Sequence, residues 1–193
     1  MKQIKHKLPP GDLAVWIFIY AELLVFAIFF LGYAFARRLD VDLFNQSQLL
    51  LDQRAGFVNT LVLITSSWFV VQAVHAIRQV DRKKAALVCS RWLLAAVAMG
   101  SVFLIIKIME FSEKISQGIN LSTNTFYMFY LSLTFFHFLH VILGMIILFA
   151  VYLKAKKGGY TLGDHRGVET GASYWHMVDL LWIVLFPLVY IIR

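Results

Sequence analysis

Apolar residues in this sequence are concentrated in five long runs that alternate with short polar stretches. The runs cover about 12–36, 56–77, 85–111, 124–153 and 172–192. Each is longer than the roughly 20 residues that an α-helix needs to cross a bilayer. Backbone groups in lipid must be satisfied within a helix or a closed barrel, and no strand pattern competes. The pattern predicts an all-α, polytopic membrane protein in which residues 1–193 form one bundle of five transmembrane helices.

Cations in the loops predict the orientation of these helices. One side of the membrane receives most of them: Lys2, Lys5, Lys7, Arg78, Arg82, Lys83, Lys84, Lys154, Lys156, Lys157 and Arg166. The other side receives fewer: Arg37, Arg38, Arg54, Lys114 and Arg193. The positive-inside rule then predicts a cytoplasmic N-terminus and a periplasmic C-terminus. The outer loop, residues 40–55, is interpreted as a short surface-lying segment. Three tyrosines are placed near the outer interface: Tyr33, Tyr127 and Tyr190.

Composition narrows the function classes. The chain has 193 residues, 60% of them hydrophobic, and carries a net charge of +7. Its mean hydropathy of +0.73 indicates that little of the chain lies outside the membrane. A nucleic-acid role would need a basic face on a soluble fold, and none is available. The single cysteine, Cys89, excludes an internal disulfide and a cysteine-based metal site.

The fourth run contains two histidines near its middle. His137 and His140 are three residues apart and so fall on one side of a helix. Polar groups at that depth must turn inward, which favours hydrogen bonds to other helices. A metal site is the alternative, and it would need a third ligand from another helix. Gly144 follows one turn later and would allow another helix to approach closely.

Other ionisable residues lie inside the runs. Glu22, near the middle of the first run, is either a proton-handling acid or a carboxyl hydrogen-bonded to a neighbouring helix. In the third run Lys107 and Glu110 have the spacing of an ion pair, which would anchor the outer helix end. His176 and Asp179 share that spacing and form either a proton relay or a structural pair. These alternatives stay open, as do lipid binding and simple snorkelling for Arg91 at an inner helix end.

Five features together resemble a known family. They are Glu22, NTLVLITSS, KIMEF, TFFHFLHVILG and GVETGASYWHMVDLLWIVLF. The chain resembles subunit III of the haem-copper oxidases (cytochrome c oxidase subunit 3-like) in a short five-helix form. The H-x-x-H-V-x-x-G and Y-W-H-x-V-D-x-x-W patterns are the most specific. Within the family, FYMFY and the C-terminal WHMVDLLWIVLFPLVYIIR resemble the accessory subunit associated with bacterial nitric oxide reductase.

This resemblance implies roles for individual residues. Glu22 matches a buried helix-one carboxylate associated with support of proton uptake and with lipid contact. Glu110 matches the family's helix-three glutamate, but Lys107 stands where glutamine is usual. The remaining matches are polar positions that hold the bundle and its lipids: His137, His140, Glu169, His176 and Asp179. The expected contacts with lipid or a partner are Arg91, Lys107, Glu169 and Gly144.

The resemblance also implies cofactors and partners. Haem and metal belong to the partner subunits, so this chain is expected to carry none and to bind phospholipid. Because the family's first two helices are missing, its deep lipid cleft cannot be fully formed here. The expected partners are a haem-containing catalytic subunit and its electron-accepting subunit in the same membrane complex.

We therefore expect a non-catalytic accessory subunit of a respiratory haem-copper complex in the bacterial inner membrane. Nitric oxide reductase, and with it denitrification, is the favoured complex. The first alternative is subunit III of an aerobic cytochrome c or quinol oxidase. A second is an independent proton channel or transporter that uses Glu22, the histidine pair and Asp179 as a relay. A third, a metal enzyme inside the bundle, would need stoichiometric metal.

Overall fold

The computed structural model describes residues 11–78, 82–161 and 164–193, which are almost entirely helical. The helices are α1 (Leu13–Leu39), α2 (Val41–Leu49), α3 (Gln53–Ile77), α4 (Arg82–Ser116), α5 (Thr125–Lys156) and α6 (Arg166–Phe186), and a π-helical turn, Pro187–Ile191, continues α6. All except α2 are long and apolar enough to cross a membrane. This confirms the predicted all-α bundle with five membrane-spanning helices.

Local signals in the sequence explain where several helices begin and end. Asp12, Asp40, Asp52 and Asn124 each precede a helix and accept a hydrogen bond from a backbone N–H of its first turn. Such side chains satisfy donors that have no partner within the helix. Gly118, which follows α4, has a φ of +74°, a conformation that favours glycine. Helix ends are therefore set by caps and turns, whereas hydropathy marks only the part that fits in the bilayer.

Two predicted bounds are wrong for this reason. The third run was expected to end near Phe111, but α4 continues to Ser116. The fifth was expected to begin near Ala172, but α6 begins at Arg166 and so includes Glu169. Both extensions add polar residues to a helix whose hydrogen bonds continue beyond the apolar core.

The outer loop is also more ordered than expected. Instead of lying on the surface, α2 inserts one face into the bundle, where Phe44, Ser47 and Gln48 are buried. Leu49 and Leu50 remain exposed, as a surface segment would have them. The α2 helix therefore covers the end of the bundle at which α1 ends and α3 begins.

Buried positions recur every seventh residue along the long helices. The columns are Ile19, Phe26 and Tyr33 in α1; Asn59, Ser66 and Ala73 in α3; Cys89, Ala96, Phe103 and Glu110 in α4; Tyr130, His137, Gly144 and Val151 in α5; and Val168, Trp175 and Trp182 in α6. A seven-residue repeat is the signature of helices that wrap around one another with a shallow left-handed crossing. The columns stack the core in layers two helical turns apart.

The α1 helix is the most peripheral of the five. Its only buried residues are Ile19, Phe26 and Tyr33, which form a single stripe against the bundle. Large apolar side chains on its other sides are exposed, among them Leu24, Ile28, Leu31 and Phe35. In a membrane these faces contact lipid or another subunit.

Proline changes the end of α6. Pro187 has no backbone N–H, and the helix continues after it as a π-helical turn. Carbonyl groups near this turn accept hydrogen bonds from side chains of other helices. Gln48 donates to the carbonyl of Val189 (3.0 Å) and Gln53 to that of Tyr190 (2.8 Å). Side chains of α2 and α3 therefore hold the C-terminal turn against the bundle.

Candidate functional site

A closed polar cluster lies in the half of the bundle that α2 covers, and we call it the Lys107 cluster: Lys107, Glu110, Tyr130 and Tyr190. The Lys107 ammonium donates to Glu110 Oε2 (2.9 Å) and to Tyr190 Oη (2.7 Å). Glu110 Oε1 accepts from the hydroxyls of Tyr130 and Tyr190, both at 2.6 Å. All four side chains are buried. The cluster joins α4, α5 and the π-helical turn, and its two charges cancel.

Aromatic rings complete the surroundings of the Lys107 ammonium. Four ring centroids lie 5.0–5.5 Å from its nitrogen: those of Phe111, Tyr130, Trp182 and Tyr190. Ring faces attract cations, and this attraction is stronger where water is excluded. The ion pair and the aromatic rings together replace the water that would otherwise solvate the Lys107 ammonium.

The structure corrects two expectations for this part of α4. Lys107 and Glu110 do form the predicted ion pair, but it lies inside the bundle rather than at a helix end. Lys107 was also expected to contact lipid or a partner. Its side chain is 0% exposed, so its contacts are with its own chain.

A second polar pair lies where α1 meets α5. Glu22 Oε2 and His140 Nε2 are 3.0 Å apart, and their side chains are 20% and 11% exposed. His140 Nδ1 lies 2.7 Å from the carbonyl oxygen of Phe136. A carbonyl only accepts, so Nδ1 carries a proton. Glu22 and His140 then share one further proton, as a carboxylate with an imidazolium or as a neutral acid with a neutral ring.

His137 differs from His140 in its surroundings. Its ring packs 5.2 Å from Trp182 and 5.8 Å from Phe103, and it is fully buried. The interhelical hydrogen bond predicted for it is missing, since neither ring nitrogen has a partner among the described residues. Its ring faces α4 and α6, whereas His140 turns toward α1. The two histidines therefore do not converge on one ligand position.

Ser67 connects His176 of α6 to α3. Its hydroxyl is 2.6 Å from His176 Nδ1. Asp179 Oδ1 has no hydrogen-bond partner within the part of the chain that the structure describes. The i, i+3 spacing therefore did not predict the partner that the structure gives to His176.

The remaining predicted contacts separate into buried and exposed residues. A Cβ added to Gly144 would lie 2.9 Å from the ring of Trp175, so this glycine contacts α6 of its own chain, not lipid or a partner. Glu169 accepts from Arg78 (2.8 Å) and lies 3.2 Å from His165, which ties the start of α6 to the end of α3. Arg91 is exposed on α4 and remains free to meet lipid headgroups or a partner.

The sequence did not reveal every buried polar residue. The tyrosines expected at the outer interface, Tyr33, Tyr127 and Tyr190, are buried against other helices, and their depth in the membrane stays a prediction. Tyr130 and Asn59 were not singled out at all. Their seven-residue spacing from His137 and Ser66 was the available signal, because those columns already contained polar residues in apolar runs.

Comparison with known proteins identifies a match over nearly the whole chain. Residues 11–193 match the family model described as cytochrome c oxidase subunit III. Among the relatives, cytochrome c oxidase subunit 3 of Thermostichus vulcanus is 31% identical, covering 93% of this chain and 86% of its own length. The same subunit of Synechocystis is 34% identical, with 92% and 74% covered. Cytochrome bo(3) ubiquinol oxidase subunit 3 of Buchnera aphidicola is 27% identical, with 92% and 84% covered.

Proposed function

The chain belongs to the cytochrome c oxidase subunit III family, and from this we propose that it serves an oxygen-reducing haem-copper complex. It is a non-catalytic subunit of an oxidase complex, so a catalytic subunit in the same membrane is its partner. The observation that carries the proposal is the match over residues 11–193, together with relatives that are oxidase subunits. These relatives include subunits of a cytochrome c oxidase and of a ubiquinol oxidase. The proposal therefore covers both cytochrome c and ubiquinol as the electron donor of the complex.

The favoured complex in the sequence analysis was nitric oxide reductase. The relatives named above are subunits of oxidases, which supports the first alternative better. The short five-helix form does not argue against an oxidase, because the chain covers 86% of the Thermostichus subunit. Association with nitric oxide reductase stays a prediction, and the experiment below separates the two.

We place the main contact with the catalytic subunit or with bound phospholipid on α1. This helix buries one stripe and leaves large apolar side chains exposed on its other sides. Lipid tails are as apolar as leucine side chains, so hydrophobicity alone does not favour protein over lipid on this surface. Shape complementarity and local polar groups therefore determine which of the two binds there. Glu22 and His140 lie on the inner edge of this surface, where the proton they share can respond to either neighbour.

The proposed location is the bacterial inner membrane, with the N-terminus in the cytoplasm. Loop lysines and arginines support this orientation, since the connections around residues 78–84 and 154–166 are rich in them. We propose that Arg91, exposed near the start of α4, reaches headgroups on that side. Cysteine substitutions in the two sets of loops, labelled by a membrane-impermeant reagent, test the orientation.

The central experiment is purification of the tagged chain in mild detergent, with partner identification, an absorption spectrum and metal analysis on one sample. We expect haem together with copper, and a catalytic subunit of an oxidase. Haem b and haem c with non-haem iron and no copper would assign the chain to nitric oxide reductase instead. A colourless protein recovered alone under several gentle conditions would contradict the accessory role and favour a channel, which flux measurements in liposomes would then test.

A further inference from the structure

One layer of the bundle core contains polar atoms without a partner. They are Oδ1 and Nδ2 of Asn59 and Nδ1 and Nε2 of His137, and both side chains are fully buried. None of the four is hydrogen-bonded within the part of the chain that the structure describes. A buried polar group left unpaired is costly, because it has lost its hydrogen bonds to water. Buried water molecules in proteins typically bond to polar groups that the protein itself leaves unsatisfied.

The helix register places these two side chains at one level. Ser66 donates to the carbonyl of Ala96 (2.9 Å), which fixes α3 against α4. These helices run antiparallel, as the contact between Lys114 and the carbonyl of Leu50 also shows. Asn59 lies seven residues before Ser66, and Phe103 lies seven residues after Ala96. Because the two helices are antiparallel, Asn59 and Phe103 lie at the same level of the bundle.

Phe103 links this level to His137. Its ring is 5.8 Å from that of His137 and 4.9 Å from that of Trp182. Trp182 in turn donates to Thr60 (2.9 Å), the neighbour of Asn59 in the chain. These contacts therefore place Asn59 and His137 at the same level of the bundle.

The chemistry of this layer suits a neutral ligand that both donates and accepts. The Asn59 amide offers two donors and an acceptor, and a neutral His137 ring offers one of each. A bound ion would bring an unpaired charge into this buried layer, because the charges of the nearby Lys107 and Glu110 already cancel each other. Water meets all of these requirements, because it needs two to four polar partners and carries no charge.

We propose that Asn59 and His137 bind ordered water in the core of the bundle, next to the Lys107 cluster. The water satisfies the four buried atoms and separates the closed, charge-bearing part of the core from the layer that contains Gly144 and Trp175. This inference concerns the chain itself and does not depend on which catalytic subunit it accompanies.

The direct test is a structure of the purified complex at a resolution that shows ordered water. Water density is expected within about 2.7–3.2 Å of a His137 nitrogen and of the Asn59 amide. A direct bond between the two side chains, or no density there while other internal waters are visible, would overturn the proposal.

Magnetisation transfer from water to ¹⁵N-labelled histidine, measured by solid-state NMR in lipid bilayers, gives a second readout. The His137 signal, assigned by its loss in His137→Phe, should receive water magnetisation in the unmodified chain. Asn59→Leu keeps that histidine but removes half of the site, and transfer to it should fall severalfold. Unchanged transfer in Asn59→Leu would contradict a shared site. If that variant fails to fold, the transfer measured in the unmodified chain still decides between bound water and a dry layer.

Thr134→Val is the matched control. This buried residue lies one turn from His137, and its hydroxyl is already satisfied by the carbonyl of Tyr130 at 2.6 Å. Its replacement should leave both the water density and the transfer to His137 unchanged. Loss of either signal in the control would show that any polar deletion in α5 disturbs the layer, and would overturn the assignment to Asn59 and His137.

Discussion

The Lys107 cluster and the Glu22–His140 pair are two solutions to one problem, a charged group inside an apolar bundle. The first is closed: Lys107 is 0% and Glu110 4% exposed, and four aromatic rings, two of them tyrosines, surround the Lys107 ammonium. The second is open: Glu22 is 20% exposed and lies on the most peripheral helix. The closed cluster joins helices of the bundle, whereas the open pair lies beside the exposed surface of α1.

This difference also predicts which mutations reduce the stability of the protein most. Removing one partner of a buried pair leaves an unpaired charge in a medium that cannot solvate it. Removing Glu22 from the second pair leaves His140, whose ring can stay neutral and keep its hydrogen bond to the carbonyl of Phe136. The predictions below test this contrast, beginning with the largest expected loss of stability.

Lys107→Met should give the largest loss, about 3–5 kcal/mol, because Glu110 is left as an unpaired buried charge. Thermal unfolding in mild detergent measures it. The double variant Lys107→Met/Glu110→Gln should recover most of the loss, since the amide oxygen still accepts from Tyr130 and Tyr190. Equal stability of the single variant and the unmodified protein would show that the pair is not needed.

Gly144→Val tests the packing of α5 against α6 away from any charge. The added side chain would begin 2.9 Å from the Trp175 ring, and overpacking of this kind costs about 1–3 kcal/mol. Gly32→Ala is the control, because its Cβ would lie 3.5 Å from Phe129, an ordinary contact. Similar unfolding temperatures for the two variants would contradict close approach at Gly144.

Gln48→Leu tests the attachment of the π-helical turn. It removes the bonds to the Tyr33 hydroxyl and to the Val189 carbonyl, at roughly 1 kcal/mol for each bond lost. Hydrogen exchange should increase over residues 187–193, together with a lower unfolding temperature. Gln46→Leu, at an exposed position of the same helix, should change neither.

Glu22→Ala should have the smallest effect on stability, about 1 kcal/mol or less, because the remaining His140 ring can stay neutral and keep its bond to the Phe136 carbonyl. Its effect should appear instead in the purified complex, as altered turnover or faster inactivation. Glu113→Ala, an exposed carboxylate of α4, is the control for loss of a charge. If assembly, turnover and inactivation rate all stay unchanged in Glu22→Ala, the functional role of Glu22 is rejected.

Hydropathy alone was enough to predict the five spans, because the thickness of a bilayer requires long apolar runs. It could not predict the rotation of each helix about its own axis. In α1 almost every side chain is apolar, so no polar face distinguishes the side that meets the bundle. Nor could it predict that Tyr33 and Tyr190 are buried, because an amphipathic ring fits both an interface and a polar core cluster.

Polar residues inside the apolar runs were correctly predicted to face the bundle. Their hydrogen-bond partners were predicted only where both residues lie in the same helix. The Lys107–Glu110 pair follows from helix spacing, and the structure contains it. The same spacing suggested His176–Asp179 and a common environment for His137 and His140. There the structure instead brings in Ser67 and Glu22 from other helices.

The sequence by itself thus determined the class of protein, the five membrane-spanning helices and the Lys107–Glu110 ion pair within α4. These depend on bilayer thickness, local hydrogen bonding and the pitch of a helix, all of which act along the chain. Only the tertiary structure decided that Glu22 meets His140, that Tyr190 completes the Lys107 cluster and that Asn59 lies level with His137. Those contacts join segments far apart in sequence, and they depend on helix rotation and register, which packing of side chains in three dimensions sets.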